Sequence, residues 1–206
     1  MNYTLNGSSL ELDISLIRGG LEIIVSDRDD IELVFSELRK NTADELFNIS
    51  FQEDLLLIKE RTWKKTAMPS AFFKNEASHD LVLHVPTGTR LKGSISTVSG
   101  DIRADYLAGG TFQIKTISGK MVFGKIESSR LKLQNIGGNV TIGTMIGAVN
   151  ARVVSGKCLI NDGQINRFSF SSVSGDITVS ADFNLDRDST VQTVSGDTAL
   201  NVHNYT

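Results

Sequence analysis

The sequence has one cysteine, two prolines and no apolar run approaching the roughly 18 residues that a membrane-crossing helix needs. A lone cysteine excludes an intramolecular disulfide, and with it any scaffold held together mainly by cross-links. Two prolines beside 18 glycines exclude collagen-like and proline-rich architectures. Charge of either sign is not in excess: 21 Lys and Arg stand against 24 Asp and Glu, a net charge of -3. That balance gives no overall attraction to phosphate backbones, so nucleic acid is not expected as a partner, although a local basic patch is compatible with it. The opening residues MNYTLNGSSLELDIS lack the basic start and apolar stretch of a signal peptide, so as written the chain is expected to be cytoplasmic.

Familiar chemical motifs are scarce too. "SGK" at Ser118 and at Ser155 resembles the tail of a phosphate-binding loop, but the glycine that loop needs is Ile114 in one case and Ala151 in the other. No G-x-S-x-G elbow and no calcium-binding GGxGxD repeat is present. His79, His84 and His203 are scattered and make no zinc site, so neither metal nor cofactor is expected.

What the chain does have is a repeated glycine. TVSGDI from Thr97 returns as TISGKM from Thr116, NIGGNV from Asn135, VVSGKC from Val153, SVSGDI from Ser172 and TVSGDT from Thr193. The second residue of each pair, Gly100, Gly119, Gly138, Gly156, Gly175 and Gly196, recurs at steps of 19, 19, 18, 19 and 21. A fixed period of this size marks a solenoid, whose units bury their apolar faces only by stacking on one another.

The columns of the repeat test this. Seven and five residues before the glycine stand pairs such as Phe112 with Ile114, Leu131 with Leu133 and Phe168 with Phe170; two and four after it stand Ile102 with Ala104, Met121 with Phe123 and Ile177 with Val179. Spacing of two is strand spacing, so each coil carries two strands joined by a glycine corner. Two residues before the glycine all six copies are β-branched and aliphatic: Val98, Ile117, Ile136, Val154, Val173 and Val194. That column is expected to face inward, which requires the alternation to change phase near the corner, where the flexible backbone of glycine would serve. Cys158 falls in an inward column and is expected to be a buried, inert thiol. A sandwich of antiparallel hairpins is the rival architecture, and in-register repetition favours the solenoid.

Before Leu91 the period disappears, but strand patterns persist in LELDISL, LEIIV and IELVF, which read as a meander with turns at RGG and SDRDD. TADE at Thr42 has capping-box form and predicts a short helical turn. The expected organisation is all-β: a parallel β-solenoid of about six coils over residues 91–206, with residues 1–90 as a β-rich cap continuous with it. The last coil is more polar, with Ser189 and Thr198 in apolar columns, and its open sheet edge is expected to be covered by pairing, either as a homodimer through this C-terminal solenoid end or with a partner segment.

Two stretches invite a chemical reading. One residue after each corner glycine stand Asp101, Lys120, Asn139, Lys157, Asp176 and Asp197. Asp176 and Asp197, one coil apart, suit an acid and base pair acting on a polysaccharide, whereas exposed Asp and Lys alternating over Asn suit a soluble ladder that avoids stacking like charges. The second reading is the stronger. RTWKKTAMPSAFFKNEASHD, from Arg61 to Asp80, sets Trp63, Phe72 and Phe73 among Lys64, Lys65 and Lys74, a composition suited to contact with a membrane surface, a glycan or a partner protein, or to packing over the solenoid end.

The corner motif TVSGDI, preceded by LVLHVPTGTRLKGSIS, resembles the bacterial putative-adhesin family of β-strand-repeat proteins, strongly over residues 81–200 and more loosely before them. The resemblance implies a right-handed parallel β-solenoid with no established activity, found in proteins of the Gram-positive envelope or near membrane-stress systems, and it brings no catalytic residues. The function expected from residues and resemblance together is a non-enzymatic interaction or scaffold module, with a carbohydrate-active enzyme using Asp176 and Asp197, or an envelope-stress signalling module, as alternatives.

Overall fold

The computed structural model describes residues 1–36, 38, 42–61, 79–184 and 188–203. Its centre is four long strands, β9 (Ile102–Thr116), β10 (Met121–Gly137), β11 (Val140–Ser155) and β12 (Lys157–Ser172), numbered in chain order with the shorter strands given below. Each bends once around the molecule and pairs in parallel with the next, like residue over like: Met121 faces Ile102 on one side and Val140 on the other, and Leu133 lies between Ile114 and Ala151. β8 (Arg90–Thr97) starts this stack; β13 (Asp176–Phe183), β14 (Thr190–Thr193) and β15 (Thr198–Val202) end it. The chain is a parallel β-solenoid of about six turns.

The interior is apolar and continuous. Ile102, Phe112, Ile114, Met121, Leu131, Leu133, Val140, Ile160, Phe170 and Ile177 are fully buried and belong to one core. A third inward position, Leu107, Ile126, Met145 and Ile165, follows the bend of the long strands, where Gly109 and Gly147 adopt positive φ and the register shifts by a residue. At about 1.5 to 3 kcal/mol for each large side chain removed from water, this core is the main force holding the coils together. Cys158 is buried in it as expected, and burial pushes its thiol up to about 12.

The outcome differs from the sequence reading at the column two before the corner glycine. Val98, Ile117, Ile136 and Val173 are 42%, 47%, 50% and 41% exposed, Val154 is half-buried and Val194 is 83% exposed. The buried column lies one residue earlier, at Thr97, Thr116, Asn135, Val153 and Ser172. Alternation therefore runs into the corner without a change of phase, and polarity at this point is inverted. Turn chemistry is the reason. A tight corner turns backbone polar groups toward the interior, where they need partners. The Ser172 hydroxyl donates to the Gly175 carbonyl at 2.6 Å and accepts from the Gly175 N–H at 2.9 Å. Thr97 donates to the Gly100 carbonyl, Thr116 accepts from the Gly119 N–H, and Asn135 Nδ2 donates to the Gly119 carbonyl. An aliphatic side chain could do none of this, so in these four coils the aliphatic residue takes the outward place; the fourth coil keeps an apolar residue, Val153, at the inward position.

Glycine at the corner answers to space in every coil, and at Gly138, Gly156 and Gly196 to a positive φ as well. Gly119 does not have positive φ, yet a Cβ on it would collide with the Gly100 carbonyl of the coil below. Successive corners stack backbone on backbone.

The N-terminal strands are not a meander. β2 (Ser9–Leu16) pairs in parallel with β8, and β3 (Leu21–Ser26) pairs in parallel with β9, so the two form one more coil. RGG is its corner: Leu16 lies beside Thr97, and a Cβ on Gly100 would strike the Gly19 carbonyl. On the far side, β6 (Leu55–Glu60) runs parallel to β2 and β7 (Leu81–Pro86) parallel to β3. Antiparallel strands then close this end: β4 (Asp30–Phe35) on β7, β1 (Asn2–Thr4) on β4, and β5 (Phe47–Gln52) on β6. α1 (Ala43–Leu46) is the turn that TADE predicts, with the Thr42 N–H donating to Glu45 Oε2 at 3.0 Å.

Candidate binding surface

The outward aliphatic column starts at Ile17 in the RGG corner and continues through Val98, Ile117 and Ile136. These four side chains line a shallow groove of about 490 Å³, bordered by Lys59, Glu60, Lys115 and Gln134. One end is fixed by the Glu60 carboxylate, which accepts the N–H groups of Ile17 and Arg18. Lys59 pairs with Asp13 at 3.2 Å beside it. Farther along, Val173 and Val194 line a second depression of about 290 Å³ with Arg152 and Gln192.

The backbone beneath the column is held by a row of serines. Ser99, Ser118, Ser155 and Ser174, each one residue before a corner glycine, donate side-chain hydrogen bonds to the carbonyls of Ile17, Val98, Ile136 and Val154 in the coil below, at 3.0 to 3.2 Å. Each link presses one aliphatic residue onto the next coil. The result is a straight apolar rail on a fixed support.

The column on the other side of the corner serves the stack. Asp101 Oδ1 accepts the Lys120 N–H at 2.9 Å, Asn139 Oδ1 the Lys157 N–H at 3.1 Å, and Asp176 Oδ1 the Asp197 N–H at 3.1 Å. Lys157 Nζ also lies 3.8 Å from Asp176 Oδ2. Both Asp176 and Asp197 are thus on successive corners, as the period requires, and one oxygen of Asp176 is committed to joining its coil to the next.

On the far face, Tyr106, Lys125 and Glu127 form a cluster, with the Tyr106 hydroxyl donating to Glu127 Oε2 at 3.0 Å and Lys125 Nζ lying over the tyrosine ring. Hydrogen bonding to Lys125, and then to Tyr106, lowers the Glu127 carboxyl from its ordinary value; burial, then Glu127, raises the Tyr106 phenol. His84 points away from the core opposite Glu32, and His203 Nδ1 lies 3.7 Å from Asp162. Among the described residues no group of His, Cys, Asp and Glu is arranged to hold a metal ion. Trp63, Lys64, Lys65, Phe72, Phe73 and Lys74 lie outside the described residues.

The aliphatic rail is the surface that sequence reasoning misplaced. Its signal was present in the serines and threonines at the preceding position, whose hydroxyls compete for the turn's backbone groups.

A family model described as Toastrack DUF4097 matches residues 10–206. Among solved structures, the chain is similar to one described as a putative adhesin from Bacteroides fragilis, with 12% identity, a TM-score of 0.48 and coverage of 98% of this chain and 95% of the other. It is also similar to one described as a putative cell adhesion protein from Clostridium sporogenes, with 10% identity, a TM-score of 0.42 and coverage of 98% of both chains. No curated protein matches the sequence.

Proposed function

We propose that this chain, which belongs to the Toastrack family, is a non-enzymatic binding scaffold that offers its outward columns to a protein or glycan. The observation that supports the reading is the rail of Val98, Ile117 and Ile136: β-branched side chains that are two-fifths or more exposed, in line, on a backbone fixed by serine links. Contiguous exposed apolar surface on a soluble fold is a common mark of a contact site. In this reading residues 1–90 cap the first repeated coil, and the aromatic and basic stretch around Trp63 and Phe72 adds contact groups by its composition.

The last coil supports a second element of the proposal, pairing with another copy. β14 and β15 have no strand on their outer edge among the described residues, and Leu200 and Val202 are exposed there. Such an edge is a template for further pairing. Sedimentation should show a dimer that Leu200→Lys converts to monomer; a wild type that stays monomeric at every concentration overturns the pairing.

A panel of immobilised glycans and polypeptides tests the scaffold reading. Binding to a member of the panel should weaken about tenfold in an Ile117→Ser, Ile136→Ser variant and persist in an Asp176→Asn, Asp197→Asn variant. Turnover of a glycan that the aspartate variant abolishes would replace the scaffold with an enzyme.

A further inference from the structure

The acidic side chains of this protein are unevenly placed. One outward face, made by β8 and the second halves of β9 to β12, carries three columns eight, six and four residues before the corner glycine. Over coils one to five these columns hold six cations and no acid: Lys92, Lys115, Arg130, Lys132, Arg152 and Arg167. Lys92 is paired with Glu11 at 2.9 Å, which marks where the basic face ends. The other five form no ion pair with a described residue. In a chain of net charge -3, such a face is a local inversion of the overall field.

The cations also alternate. The outer column carries Lys92 on the first coil, Arg130 on the third and Arg167 on the fifth; the inner column carries Lys115 on the second and Arg152 on the fourth. Left and right therefore take turns at each rung, and rungs are about 4.8 Å apart. The two columns lie four residues apart along the strand, about 13 Å, so an object lying over the middle column is within reach of long side chains from both sides. That middle column is polar: Ser94, Gln113, Lys132, Asn150 and Ser169. Ala148, in the outer column between Arg130 and Arg167, opens a depression of about 400 Å³ beside Lys132, Asn150 and Ser169.

We propose that this face binds an extended anionic polysaccharide, a β-1,4-linked hexuronate chain lying along the solenoid axis with one sugar per coil. In such a two-fold ribbon the carboxylates project to alternate sides from sugar to sugar, and the rise of one sugar is close to the spacing of one strand. Lys115, Arg130, Arg152 and Arg167 meet successive carboxylates on alternate sides, while the middle column meets the hydroxyls. Arginine suits the task, because its planar fork holds a carboxylate through two parallel hydrogen bonds. A fluid lipid surface has no register to match this alternation, and duplex nucleic acid is a poor fit to a flat strip three side chains wide.

The inference rests on the scaffold reading and adds to it a second surface, the basic face beside the aliphatic rail, with a ligand of its own. Calorimetry on the full chain with a β-1,4-mannuronate hexamer tests it. The hexamer should bind more tightly than the trimer, and cellohexaose, with the same linkage and no carboxylate, should not bind. Arg130→Gln, Arg152→Gln, Arg167→Gln should weaken hexamer binding by about tenfold or more, whereas Arg103→Gln, Lys120→Gln, Lys157→Gln, with the same change of charge on another face, should leave it unchanged. Three outcomes overturn the inference while leaving the scaffold standing: no binding by folded wild type, equal loss in both variants, or tighter binding of anionic vesicles or duplex DNA through the same three arginines. Release of new chain ends from the hexamer would overturn the scaffold reading instead.

Discussion

At the corner, one residue decides whether the next coil can lie down. Gly119→Ala places a methyl against the Gly100 carbonyl, and neither backbone can yield without disturbing its own ladder. The expected cost is about 2 to 4 kcal/mol, against about 0.5 kcal/mol or less for Ile117→Ser two residues away, measured by urea unfolding. This contrast separates an exposed aliphatic column from a buried one. Cys158 gives a second prediction at this scale. Its thiol is raised by burial, so the folded chain holds a proton that the unfolded chain releases above about pH 8.5. The stability this contributes is whole below that pH and is lost as pH rises toward about 12. Melting temperature should fall over this window less steeply in Cys158→Val than in wild type, and native protein should resist alkylation at pH 8.

Among the strands, protection should follow the number of neighbours. β10 and β11 have a parallel partner on each side over nearly their whole length, whereas β14 pairs with β12 alone and all four of its residues are exposed. Amide exchange should be slowest in β10 and β11 and fastest in β14 and β15. Period and two-residue spacing made both halves of each long strand legible in the sequence, because parallel stacking repeats the same side chain at the same place, but not that the halves run on as one strand from corner to corner. β2 and β3 escaped that reading: one non-identical corner, RGG, carries no periodic partner nearby, and its coil lies between strands that come later in the chain. The outward rail was missed for a different reason. Hydrophobicity does not signal burial at a position where a hydroxyl on the neighbouring residue satisfies the turn. The basic face showed only when coil number and column were known together.

As a whole the molecule is quasi-one-dimensional, and its size is a number of rungs. Excision of residues 120–138 removes one rung from corner to corner and brings Val140 to the place of Met121 above Ile102, apolar side chains in the same column. The shortened chain should fold cooperatively with a lower melting temperature and an unchanged strand signal by circular dichroism. Excision of residues 120–128 cuts a rung in half and should abolish folding. Loss of cooperative folding in the first case would show that the coils are not interchangeable.

Because the strands lie across the long axis, every ladder hydrogen bond points along it. A pull on the two ends of the stack therefore loads a whole rung of bonds at once, while a pull on the last described coil breaks them one after another, as a zip opens. Tethered by its ends the protein is a stiff strut; gripped by its tail it unwinds at low force.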